Sequence, residues 1–134
     1  MAEVEFFDPI SDLKVEKGWV ILTVNNVVIV FDYEAESGLE SEICKFQTRV
    51  DLKGQVSAAC GEDGSLTVIV PLTDKEVQKI QCYKDGNAKQ TTHMLDYDYK
   101  YSYCAITDGA QFAAFADING KYFSIYRLET FEKI

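Results

Sequence analysis

The sequence predicts an all-β protein, a partial and unclosed β-propeller of about three four-stranded antiparallel blades, on three observations. Trp19–Val24 and Val27–Tyr33 are apolar runs rich in β-branched residues, and only Asn25 and Asn26 separate them, two residues that tolerate positive φ. The same hairpin shape recurs twice, with Ser65–Leu72 turning into Val77–Tyr83 and Gln111–Asp117 turning into Tyr122–Leu128. Each hairpin is entered through a polar turn ending in glycine, at Gly18, Gly64 and Gly109, a period of about 45 residues. A β-sandwich is the rival architecture, because sandwiches also space short strands at eight to twelve residues. The repeated order of glycine, then hairpin, favours blades.

In chain order, the units fall at about 1–50, 51–97 and 98–134. Ile10–Glu16 carries Leu13 and Val15 at period two and supplies an innermost strand that turns at Lys17 and Gly18. The first hairpin follows, and after an acidic, turn-rich loop at Glu34–Ser41 the segment Glu42–Thr48 supplies a fourth strand. In the second unit the small residues of Gln55–Cys60 suit a crowded inner position, and Lys89–Leu95 is the fourth strand. The third unit opens on Tyr97, Tyr99, Tyr101 and Tyr103, which share one side of an extended chain. A recognition strip is one reading of these tyrosines. The plainer one is an inner strand packable on both faces, since Cys104 and Ile106 alternate with them. Only Phe131–Ile134 remains for the last strand, which is missing or cut short.

Composition narrows the function. With 22 acidic against 13 basic residues the formal charge is −9, which argues against nucleic acid as a partner. The amino terminus lacks the positive region of a secretory signal, so a cytoplasmic location is expected. Cys44, Cys60, Cys82 and Cys104 lie far apart within or at the ends of strands and are read as reduced, mostly buried thiols. No metal site, cofactor or catalytic residue is expected. His93 has no nucleophile motif around it, the glycines form neither a dinucleotide fingerprint nor a phosphate loop, and Glu62–Ser65 lacks the ligand ladder of a calcium loop. Asp96 and Asp98 read as a solvated acidic edge.

Residues spread along most of the chain also carry a resemblance. Lys14 and Val15, Trp19–Leu22, Val28–Tyr33, Phe46–Thr48, Lys53 and Gly54, and then Cys104–Thr107, Gly109–Asp117, Gly120, Lys121, Ile125 and Tyr126 follow an order similar to that of PROPPINs. The resemblance implies seven-bladed, WD-repeat-like propellers that bind phosphoinositides in autophagy and endosomal traffic. It also implies docking of an autophagy lipid-transfer scaffold protein by loops of the first unit, which makes Asn25, Asn26, Glu36 and Leu39 the residues to examine. The family's lipid site maps onto Tyr99, Asp117, Lys121 and Ser124, of which only Lys121 favours a phosphate, and its Arg-Arg pair is absent from this sequence. Phosphoinositide binding is therefore expected to be weak or absent in this chain.

Three blades do not close a seven-bladed ring, so an apolar sheet face should stay uncovered at each end, inviting a protein partner or self-association. The expectation is a non-enzymatic interaction scaffold in autophagy or endosomal membrane trafficking, cytoplasmic or peripheral on endosomal or autophagic membranes. The alternatives are a self-contained small β-sandwich or barrel binding module for a peptide or small ligand, or an inactive truncated propeller fragment.

Overall fold

A computed structural model describes residues 6, 8–34, 42–47, 56–72, 76–95, 101–117 and 123–134. Its strands are β1 (Asp12–Glu16), β2 (Trp19–Val24), β3 (Val27–Asp32), β4 (Glu42–Gln47), β5 (Ser57–Cys60), β6 (Leu66–Pro71), β7 (Glu76–Cys82), β8 (Ala88–Met94), β9 (Tyr101–Ile106), β10 (Phe112–Asp117), β11 (Phe123–Arg127) and β12 (Glu132–Lys133). They form three four-stranded antiparallel sheets, β1 to β4, β5 to β8 and β9 to β12, each a meander in sequence order. No strand crosses from one sheet to another, which sets the sandwich aside. The third unit's fourth strand is two residues long, in keeping with the shortened segment seen in the sequence.

The local chemistry of the turns sets the register. Asn25 takes a φ of 54°, which asparagine tolerates, and the pairing of Val24 with Val27 closes the first hairpin in two residues. Gly18, Gly64 and Gly109 all have positive φ, at 95°, 84° and 81°, so the repeated glycine marks the same left-handed step before each hairpin. The inner strands β1, β5 and β9 lie next to one another in turn, and a parallel bridge joins Gly61 to Gly109.

Strand alternation then sorts the side chains into layers. Trp19, Ile21, Val28 and Val30 of the first sheet meet Leu66, Val68, Val70 and Ile80 of the second in one core. From the opposite face of the second sheet, Ile69 and Val77 meet Ala113, Phe115, Tyr126 and Leu128 of the third. Phe115 and Tyr126 pack edge to face with centroids 5.6 Å apart. The middle sheet is thus covered on both sides.

The four cysteines are free thiols, with Cys44, Cys60 and Cys82 buried and Cys104 half-buried. Cys82 hydrogen-bonds with Cys44 across the first interface, and that bond together with burial pushes its thiol far up from the ordinary range. Of β9, Cys104 and Ile106 pack on the second core while Ala105 is exposed. The side chains of Tyr101 and Tyr103, on which the expectation of packing on both faces rests, lie outside the described residues.

Candidate functional site

The first interface is closed at its glycine end by a cluster built on Trp19. Its ring is fully buried, its indole N–H donates to the Gly64 carbonyl at 3.0 Å, and the Lys84 ammonium sits 4.5 Å from the ring centroid. Lys84 Nζ also donates to Asp32 Oδ1 at 2.8 Å, to the Gly18 carbonyl at 3.4 Å, and pairs with Glu34 Oε2 at 3.7 Å. Asp32 is 5% exposed and also accepts from the Glu34 N–H, so its charge is both paired and hydrogen-bonded. This cluster ties the first sheet to the second.

The second interface is different at the same height. Counting along the repeat from each glycine and across each hairpin pairing, the positions of Trp19, Ile21, Val28 and Val30 are held in the second sheet by Ser65, Thr67, Lys79 and Gln81. Three small or polar groups and one ammonium replace an indole and three aliphatic chains, and the layer opens. The result is a cleft of about 320 Å³ lined by Thr67, Lys79, Gln81, Gln111, Arg127 and Glu129, continuous through Thr67, Gln81 and Gln111 with a recess of about 290 Å³ that reaches Asp63 and Ser65. Lys79 is buried and donates from Nζ to the Leu128 carbonyl at 2.6 Å. Desolvation, then the charge of Lys89, lowers its pKa, against a smaller opposing pull from Glu129. The Arg127 guanidinium lies 5.3 Å from the Phe112 ring centroid, on the face of the third sheet that also carries Phe123 and Ile125. Nothing in the sequence alone singled out this cleft, although the repeat alignment holds the signal.

Of the predicted site residues, the structure describes Asn25, Asn26, Ser124 and the backbone of Asp117. Asn25 and Asn26 are exposed at the β2–β3 turn and border a third recess of about 260 Å³ with Phe6, Val24, Val27, Ile29 and Lys45. Glu36, Leu39, Tyr99 and Lys121 lie outside the described residues. Asp117 closes β10, where only its backbone is described, and Ser124 is 5% exposed, so it presents little surface to a headgroup. His93 is held by structure. Its ring stacks on Phe131 with centroids 4.1 Å apart, its Nε2 lies 2.8 Å from Thr91 Oγ1, and burial, then Lys79, lowers its pKa.

Among the described residues, apolar side chains stand exposed on the outer face of the third sheet and on β1 at the edge of the first, whose outer face is otherwise buried over Leu22, Ile29 and Phe31. On the outer face of the first sheet Leu13 is 58% and Val15 60% exposed, beside Leu22, Ile29 and Phe31, which pack together with Phe6. On the outer face of the third, Phe123 is 70% and Ile125 39% exposed. By the same repeat count, Val20, Leu22 and Ile29 match Leu66, Val68 and Ile80, the residues through which the middle sheet docks on its neighbour.

Among solved structures the chain is similar to propellers. It aligns with Hsv2 of Kluyveromyces lactis at a TM-score of 0.69 and 8% identity, covering 98% of this chain and 38% of that one. Hsv2 of Kluyvelomyces marxianus gives 0.66 and 9%, covering 98% and 37%. Hydrazine synthase of Kuenenia stuttgartiensis gives 0.53 and 15%, covering 87% and 31%. No protein-family model and no curated protein matches the chain. The fold is that of part of a PROPPIN-like propeller, unclosed. The chain spans well under half the length of these neighbours.

Proposed function

We propose that this chain is a non-enzymatic propeller segment that serves as a protein-interaction scaffold, docking through the outward face of its third sheet and the exposed β1 edge of its first. One observation carries the reading: Phe123 and Ile125 stand exposed on a face whose counterparts in the other sheets are interface residues. Burying apolar area yields about 25 cal/mol per Å², so an uncovered sheet face of this kind favours a partner with its own apolar sheet or a second copy. The likeness to Hsv2 supports a role of the PROPPIN type in autophagy or endosomal trafficking, cytoplasmic or peripheral on those membranes. The Asn25–Asn26 turn and its recess are the place for a protein partner's loop.

The test is assembly state. Multi-angle light scattering of the native chain should show self-association that shifts to monomer in the double variant Phe123→Asp, Ile125→Asp with circular dichroism unchanged. A native chain that stays a monodisperse monomer across a wide concentration range, and that gains no stability from added propeller partners, removes the reading.

A further inference from the structure

We propose that the cleft between the second and third sheets is a binding site for a small carboxylate, with Lys79 as its charge partner and Thr67, Gln81 and Gln111 as its neutral hydrogen-bonding groups. Both walls belong to this chain, so the site is formed whatever covers the outer faces. An ordinary blade interface puts apolar volume here, as Trp19, Ile21, Val28 and Val30 do one interface earlier, each at most 1% exposed. Ser65 is satisfied by Asp63, but the repeat-matched Thr67, Lys79 and Gln81 in the cleft are costly to a core unless something polar occupies the space.

Lys79 identifies the charge of the occupant. An ammonium has three donors, and among the described residues one of them is used, by the Leu128 carbonyl. None of the described carboxylates forms an ion pair with it. Burial makes such a cation expensive, and an oxyanion within hydrogen-bond reach supplies both the missing acceptor and the missing charge. Thr67 and Gln81 on one wall and Gln111 on the other add neutral hydrogen-bonding groups that suit a carboxylate or an adjacent amide. Glu129 at the mouth and Asp63 in the adjoining recess oppose a second negative charge, which favours a monoanion over a phosphate dianion. The volume suits a molecule of a few heavy atoms beyond the carboxylate.

The experiment titrates the full chain with acetate, N-acetylglycine and inorganic phosphate at constant ionic strength, following amide and side-chain NMR shifts. The expected result is saturable binding of the two carboxylates, tighter for N-acetylglycine, with the largest shifts at Thr67, Gln81 and Gln111. Lys79→Met should weaken binding about tenfold or more, as loss of one charge-assisted hydrogen bond implies, and Gln81→Leu by about threefold. Lys45→Met, on the far side of the first sheet, should leave it unchanged. If Lys79→Met does not fold, Thr67→Val and Gln81→Leu decide. Absence of saturable shifts, equal affinity in the cleft variants, or preference for phosphate over both carboxylates would overturn the assignment.

Discussion

Lys84 lies over the face of Trp19, with Nζ 4.5 Å from the ring centroid, and joins the end of the second hairpin to the start of the first. The relationship rests on geometry that spans 66 residues of sequence from Gly18 to Lys84, since the same ammonium reaches the Gly18 carbonyl and the Asp32 carboxylate. Lys84→Met should therefore leave Asp32 buried without its cation and cost about 1–3 kcal/mol. Trp19→Phe should cost a similar about 1–3 kcal/mol through a lost indole hydrogen bond and a partial cavity. Urea denaturation followed by circular dichroism measures both, and in the Lys84→Met protein Trp19, the single tryptophan, also reports the opening of this interface by its own fluorescence. A Lys84→Met protein as stable as the native one would show that the cluster is held by packing alone.

Gly18 and Gly64 offer a matched pair for separating strain from contact. Both have positive φ, so alanine at either should cost about 1–2 kcal/mol in backbone strain. A Cβ at Gly18 would also stand 2.7 Å from Lys84 Nζ and 2.8 Å from Glu34 Oε2, whereas at Gly64 it meets nothing within 4 Å. Gly18→Ala should thus be the more destabilising of the two in chemical denaturation, and Lys84→Met should narrow the gap between them. Equal losses in the native background would remove the contact argument.

His93 predicts a pH dependence with a definite sign. Its folded pKa lies below the ordinary 6.5, so between that lowered value and 6.5 the unfolded chain binds more protons than the folded one. Stability from this group rises with pH across that window, and the full penalty is present below it. His93→Phe, which keeps a ring against Phe131, should flatten the corresponding segment of a stability-versus-pH curve measured by thermal melting. An unchanged slope there would assign the acid sensitivity to other groups.

Phosphoinositide binding gives a fourth expectation. Ser124 is buried, the sequence has no Arg-Arg pair, and the net charge is −9. Flotation with vesicles containing phosphatidylinositol 3-phosphate at physiological salt should recover little protein, since a multiply charged headgroup needs several convergent donors. Strong, headgroup-selective recovery would restore lipid recognition to this chain.

What could be read in advance follows from periodicity. The period-two apolar runs, the Asn25–Asn26 turn and the glycines at 18, 64 and 109 are local signals, and strands, hairpins and meander order follow from them because each is fixed by neighbours a few residues away. The exposed outer face of the third sheet was also legible, whereas the matching expectation for the first sheet holds only at Leu13 and Val15, because Phe6 packs over Leu22, Ile29 and Phe31. The cleft was not. Thr67, Lys79 and Gln81 look like ordinary polar positions on half-buried strands until the packing of the second sheet on the third sets them beside Gln111 and Leu128 of another unit.

The sequence by itself determined that this is a repeated, glycine-punctuated β-chain whose sheets are apolar on both sides, because alternation and turn chemistry are properties of short segments. Which side chains meet across the sheets, Lys84 over Trp19 and Lys79 against the Leu128 carbonyl, was decided only by the tertiary structure. Those contacts join residues 49 and more positions apart, and their geometry depends on how one sheet packs against the next.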